Sequence, residues 1–232
     1  VLGAGAGRLL ADLAGRGAAN PAQFAAAMRL ARRRARAGES SLARQLIYMA
    51  EGARVAGRAR ELGLAHIHAH FGTNSARVAA YARLLDGPRF SFTVHGPEEF
   101  DNIQALDLGG KLALAAFCVA VSSYGRSQLC RWAGPGDWDK VHVVHCGLDL
   151  DRLTQPRPLP PGPFHMVAVG RFAEQKGFGL LIRAFALAWR RAPGLRLSLV
   201  GDGELRPQIE ALVAAEGMGQ AVRLLGWQDE AG

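Results

Sequence analysis

Ten consecutive residues, Thr154-Gln-Pro-Arg-Pro-Leu-Pro-Pro-Gly-Pro163, hold five prolines. No helix interior or central strand tolerates that density, because each proline fixes φ and removes a backbone donor. The stretch reads as a stiff linker of polyproline character. A chain with such a break near residue 154 divides into 1–153, a linker at 154–163, and 164–232. On each side of the break the same pattern recurs: short β-rich runs alternating with helical ones. That alternation is the signature of parallel α/β sheets. Right-handed crossovers are expected to place helices on both sheet faces.

Before the linker, Asn20-Pro21 reads as a cap and a first helical residue, opening a helix to about Arg36. Gly38 ends it, and Ser40 or Ser41 caps a second helix to about Leu62. From Gly63 the period changes to two, so 63–70 is a strand with His66, His68 and His70 on one face. Thr73 or Asn74 caps the next helix, to Leu85. Arg89–Val94 is a second strand, a helix lies near Leu108–Ala116, Cys118–Val121 is a third strand, and Ser122 or Ser123 caps a helix to Trp132. Val141–His145 is a fourth strand. After the linker, His165–Gly170, Leu195–Val200 and Ala221–Leu225 are strands, with helices at Gly177–Arg191 and Glu204–Glu216.

The composition is that of a globular chain, and the longest apolar run, Leu112–Val121, is about half of a bilayer span. No signal peptide is visible, although the chain begins with Val. Cys118, Cys130 and Cys146 form no CxxC pair, so they read as small hydrophobes in a reducing compartment. The net charge of +8 is concentrated: residues 1–64 carry eleven arginines and four acids. Arg29, Arg32, Arg33 and Arg36 follow i, i+3, i+4, i+7 spacing and share one helix face. A solvated face and an anionic membrane surface both account for it. Nucleic acid is set aside, because no aromatic residues interleave the arginines.

One loop carries the chemistry. In Val169-Gly170-Arg171-Phe-Ala-Glu174-Gln-Lys176-Gly177 a strand end turns into a helix N-terminus, where free backbone N–H groups and two cations meet. An anion such as a diphosphate fits there. The bland alternative is two exposed loop cations.

That loop, with Leu180-Leu-Ile-Arg-Ala184 and Leu199-Val-Gly-Asp-Gly-Glu-Leu-Arg206, resembles the start of the C-terminal domain of family 4 glycosyltransferases of the GT-B fold. Upstream, His66–Gly72, Ser91–Asp101, Val121–Tyr124 and Val144–Asp149 resemble that family's N-terminal domain and hinge, most closely in bacterial exopolysaccharide enzymes of the colanic-acid type. The resemblance implies two Rossmann-like domains and a retaining sugar transfer from a nucleotide diphosphate sugar to a saccharide or polyprenyl-linked acceptor. By carry-over, Arg171 and Lys176 neutralise the leaving diphosphate, no metal is required, and no other cofactor is needed. His95 sits near the transferred sugar. Gly96, Glu98 and Asp101 contact sugar or acceptor hydroxyls, and Gly170, Gly201 and Gly203 lie near the nucleotide. The location implied is cytoplasmic, peripheral at the inner face of the membrane.

Two family hallmarks do not occur in this sequence: the Gly-rich loop after the first strand, and a Glu-x7-Glu pair after the linker. The chain is therefore expected to be a piece that lacks both ends and is inactive alone. Other patterns receive plainer readings. His66 and His68 imitate the start of a metal-dependent hydrolase, but no later series of ligands supports a cage. A non-catalytic sugar-nucleotide module is a further alternative, and a sucrose- or trehalose-type synthase shares the loop. Asp137-Trp-Asp139 and Asp149-Leu-Asp151 are turns, and His142 and His145 are expected in the core or hinge. No serine-hydrolase order or Walker loop is present.

Overall fold

The computed structural model describes residues 5–38, 40–96, 98–101, 103–149, 162 and 164–228. The linker expected at 154–163 therefore falls outside the described residues except for Gly162. The chain divides into two units, Val1–Asp149 and Leu150–Gly232.

The first unit opens with helices α1 (Ala6–Ala19), α2 (Pro21–Arg36) and α3 (Leu42–Glu61). The caps of α2 and α3 are those the sequence indicates: Asn20 Oδ1 accepts from the Gln23 N–H, and Ser41 Oγ from the Arg44 N–H. The helix α1 is not apparent from the sequence pattern.

Four parallel strands follow, β1 (His66–His70), β2 (Arg89–Val94), β3 (Phe117–Ala120) and β4 (Val141–Val143), in spatial order β1-β2-β3-β4. They are joined by α4 (Asn74–Leu84), by the short α5 (Glu98–Asp101) and α6 (Ile103–Leu106) with α7 (Leu108–Leu114), and by α8 (Ser123–Trp132). Ser122 Oγ accepts from the Gly125 N–H at the start of α8. Neither candidate cap of α4 acts through its side chain. Instead Ser75 Oγ donates to the carbonyls of His70 and Phe71, at 2.5 and 3.1 Å.

The expectation of helices on both faces is corrected here. Among the described residues the strand order does not reverse, so successive right-handed crossovers all return on the same side. One face of the sheet (Phe90, Phe92, Val94, Cys118, Ala120 and Val141) packs with Ala76, Ala79, Leu108, Leu112 and Leu129 of the helices. Tyr81, on another face of α4, and Leu85, just after it, pack on Ala27, Ala31, Met49 and Ala53 of α2 and α3. Tyr81 also donates its hydroxyl to Gln45 Oε1 at 2.7 Å, and burial lifts that hydroxyl to about 12.

The opposite sheet face carries His66, His68 and His70 in register with Arg89, Ser91 and Thr93. His142 lies on the same face through its pairing with Val119, and it is exposed, as is His145. Neither is in the core, which leaves the hinge alternative of the expectation. Of the cysteines, Cys118 is buried, Cys130 intermediate and Cys146 exposed, so the reading as small, semi-buried hydrophobes does not extend to Cys146.

The second unit repeats the arrangement with β5 (His165–Val169), β6 (Arg196–Val200) and β7 (Val222–Gly226), all parallel, in order β5-β6-β7. Helices α9 (Phe178–Arg191) and α10 (Arg206–Ala215) connect them. Ile182, Phe185, Leu197, Leu199, Ile209 and Val213 form its core.

Candidate functional site

In the first unit the C-terminal ends of β1 and β2 lie side by side, because the two strands are parallel and paired from His66 with Arg89 to His70 with Thr93. His95 follows the last residue of β2. Its Nε2 shares a hydrogen bond of 2.9 Å with Nδ1 of His70, and its ring centroid is 4.7 Å from that of Phe71. Phe71 holds a φ of +68°, a left-handed conformation that costs a bulky side chain about 1–2 kcal/mol.

The backbone of this corner is gathered by a residue that the sequence pattern does not single out. Glu99 is buried, at 1% exposure. One carboxylate oxygen accepts from the Gly72 N–H at 2.5 Å, and the other from the N–H groups of His95 and Gly96 at 2.6 and 3.3 Å. Beneath it, Lys111 is fully buried and donates to the carbonyls of Gly72 and Thr73 at 2.5 and 3.1 Å. Burial, and then repulsion from Arg77 and Arg34, push the Lys111 ammonium well below its ordinary value, against a pull from Glu99.

Glu98 and Asp101, the acids singled out from the sequence, are exposed on α5 beside this corner. The spacing Gly96-x-x-Glu99 is that of a carboxylate reaching back to the start of a helix, and that spacing is the signal in the sequence that points to Glu99.

In the histidine row next to His95, His66 and His68 are committed to hydroxyls. His66 Nε2 and His68 Nδ1 both lie against Ser91 Oγ at 2.8 and 2.7 Å, and His68 Nε2 lies 2.8 Å from Thr93 Oγ1. Burial first, and then its three histidine neighbours, hold His68 below the usual imidazole value. Among the described residues no group of three or more His, Cys, Asp or Glu side chains could hold a metal ion. The hydrolase alternative built on His66 and His68 is not favoured, since three of their four ring nitrogens lie against Ser91 and Thr93.

The second unit carries the loop singled out for its cations. Gly170 follows β5, Arg171 is exposed, and Phe172 and Ala173 are buried. A 3-10 turn, Glu174–Lys176, leaves Lys176 exposed just before α9. Phe172 anchors the loop through an edge-to-face contact with Phe178 at 4.8 Å. Its N–H donates to the Asp202 carbonyl at 2.9 Å, and its own carbonyl accepts from Leu205 at 3.0 Å. Burying the residue next to Arg171 fixes where that arginine leaves the surface.

Gly201 and Gly203 belong to the neighbouring loop, after β6. A Cβ at Gly201 would stand 2.0 Å from the Gly170 carbonyl oxygen, and one at Gly203 would stand 2.6 Å from that of Phe172. The two glycines therefore let the loops touch backbone to backbone. Gly201→Ala is expected to cost the second unit about 3 kcal/mol, because the obstacle is backbone and the φ is +132°. Gly179→Ala, with open space around it inside α9, is expected to be neutral or stabilising. Urea midpoints of the two variants check this, and equal midpoints would contradict it.

The candidate residues thus form two sets, each within its own unit. One is His95, Gly96, Glu98 and Asp101 at the end of β2. The other is Gly170, Arg171, Lys176, Gly201 and Gly203 on two touching loops.

Comparison with known proteins adds the following. A family profile described as Glycosyltransferase Family 4 matches residues 9–152, and one described as Glycosyl transferases group 1 matches residues 151–231. The lipopolysaccharide core biosynthesis glycosyltransferase LpsE of Rhizobium meliloti (strain 1021) is 40% identical over 83 residues, 36% of this chain and 22% of LpsE. Among solved structures, the apo form of the lipopolysaccharide outer core galactosyltransferase WaaB matches with a TM-score of 0.58 at 20% identity, over 80% of this chain and 50% of that one. Anabaena HepE in complex with UDP matches with a TM-score of 0.57 at 19% identity, over 76% of this chain and 51% of that one. The structural likeness shows the fold: α/β, of the GT-B class read from the sequence. The chain spans about half the length of these structural relatives.

Proposed function

As the chain belongs to glycosyltransferase family 4, we propose that it serves a retaining transfer of a sugar from a nucleoside diphosphate sugar to a saccharide or polyprenyl-linked acceptor. The observation that carries this reading is the loop from Gly170 to Gly177. It sets two exposed cations on a backbone pinned by a buried phenylalanine, between a strand end and a helix start. Charge that builds on a departing diphosphate is met by groups already in place, and such preorganised stabilisation commonly accounts for more of the rate enhancement than any other effect. Arg171 offers a planar fork of donors and Lys176 a mobile point charge. Together they stand in for a divalent cation, so the transfer needs none.

In the same reading His95 contacts the transferred sugar. Its imidazole is oriented by His70 and Phe71, and its backbone by Glu99. Glu98 and Asp101, exposed beside it, meet hydroxyl groups of sugar or acceptor. The four arginines Arg29, Arg32, Arg33 and Arg36 are exposed on α2, which suits work at an anionic membrane face. No helix among the described residues is long and apolar enough to cross a membrane.

The test is a thermal-shift panel of UDP, GDP and their sugar conjugates against duplex DNA, with and without a chelator. Stabilisation by a nucleoside diphosphate that survives chelation is expected, since a ligand that binds only the folded state raises the melting temperature. Stabilisation by DNA alone, or by no nucleotide at millimolar concentration, would overturn the donor assignment. Loss of the shift on chelation would overturn the metal-free part.

A further inference from the structure

Two surface grooves in the first unit share Leu114. The larger, of about 560 Å³, lies between α2 and the α4–α7 pair, with Leu30, Leu84 and Leu114 in its lining and Arg29 and Arg33 on its helix. The smaller, of about 260 Å³, lies on the other side of Leu114, with Phe90 in its lining and Arg83, Arg89 and Lys140 around it. Five cations thus line two grooves that meet at Leu114, and no acidic side chain among the described residues lines either groove. Of the five, Lys140 is paired, with Asp137 at 2.7 Å. Arg29, Arg33, Arg83 and Arg89 are exposed.

The position separates this surface from the candidate site. Arg89 begins β2 and His95 follows its end, so the grooves and the imidazole lie about 20 Å apart along the strand. The grooves are therefore not where a reacting sugar sits. Phosphate oxygens would meet guanidinium forks at the rim, while alkyl carbon would be dry on the leucine floor. A free inorganic phosphate would use the rim and leave the floor wet. Nucleic acid would find no aromatic face among the cations to stack on, as Phe90 is fully buried.

We propose that these paired grooves are a docking site for an anionic membrane phospholipid, with the headgroup phosphate on Arg29, Arg33, Arg83 and Arg89 and the upper acyl chain along Leu30, Leu84 and Leu114. The site deepens the membrane part of the proposed function and is independent of the donor chemistry. It extends the basic surface from one helix face to a patch that includes the start of β2.

The experiment is co-flotation of the chain with phosphatidylcholine vesicles, with and without phosphatidylglycerol, at low salt. Binding is expected only with phosphatidylglycerol. The double variant Arg83→Gln/Arg89→Gln is expected to lower partitioning about thirty-fold, from two surface charges at the usual strength. The variant Arg183→Gln/Arg191→Gln removes the same net charge from exposed positions on α9 and is expected to change nothing. Equal losses in the two variants would overturn the proposal, since net charge alone would then act. Binding to neutral vesicles, or to none, would overturn it as well, as would displacement by duplex DNA. UDP stabilisation of the Arg83→Gln/Arg89→Gln variant, measured alongside, keeps a failure here distinct from a failure of the donor assignment.

Discussion

In the whole enzyme of the proposed function, replacing Arg171 with alanine is expected to slow transfer from a nucleoside diphosphate sugar by about a hundred- to a thousand-fold, the usual loss on removing one preorganised donor from developing negative charge. Affinity for the free nucleoside diphosphate is expected to fall about ten- to a hundred-fold, as one charge-assisted hydrogen bond is lost. Lys176→Ala is expected to do the same by a smaller factor, because a flexible ammonium is less well oriented than a guanidinium on a pinned backbone. Arg171→Lys separates the two contributions: it keeps the charge and loses the fork, so it falls between wild type and alanine. If the two cations act on the same phosphate group, the double variant loses less than the product of the single losses. Arg183→Ala on α9 serves as the exposed control. Turnover measurement and isothermal titration decide the matter, and an Arg171→Ala protein indistinguishable from the control would remove the physical basis of the donor assignment.

The second large effect is expected at Glu99, and it is one of stability. Glu99→Ala strips acceptors from three backbone N–H groups, that of buried Gly72 and those of half-buried His95 and Gly96. It also removes the negative charge that offsets the buried Lys111. Breaking a buried charge arrangement by deleting one partner commonly costs about 3–5 kcal/mol, a large share of a domain's stability. Glu99→Gln keeps one acceptor oxygen and turns an NH2 toward backbone donors, so an intermediate loss is expected. Urea unfolding measures both. Glu98→Ala, one residue away and exposed, is expected to leave the midpoint unchanged. An unchanged midpoint in Glu99→Ala would contradict the role given to this carboxylate.

The contrast between Glu98 and Glu99 shows where sequence reasoning runs out. Strands β1 and β2 are legible because alternation over five or six residues fixes which side chains share a face, and His66, His68 and His70 do share one. The α5 turn is only four residues long, too short for a helical period to say which of two adjacent acids points inward. The missed helix α1 has a different cause. Its sequence includes Gly7, Gly15 and Gly17, each of which weakens an isolated helix by about 1 kcal/mol. Packing against α3, with Arg54 donating to Asp12 at 3.5 Å, overrides that preference.

The side on which the helices lie was open to derivation but needed the strand order, which no local pattern encodes. The cation loop was the most legible part of the candidate site. There strand, loop and helix follow one another within a dozen residues, and Gly201 and Gly203 mark the close approach of a second loop.

Phe71 has an implication for anyone seeking hardier versions of this protein. Its left-handed backbone makes it an obvious target, because glycine there would relieve the cost at once. Selection for heat resistance alone would thus be drawn to the aromatic ring that leans on His95, and would exchange a held imidazole for a loose one. Robustness and competence pull in opposite directions at this corner, and a screen that scores only the former would erode the latter unnoticed.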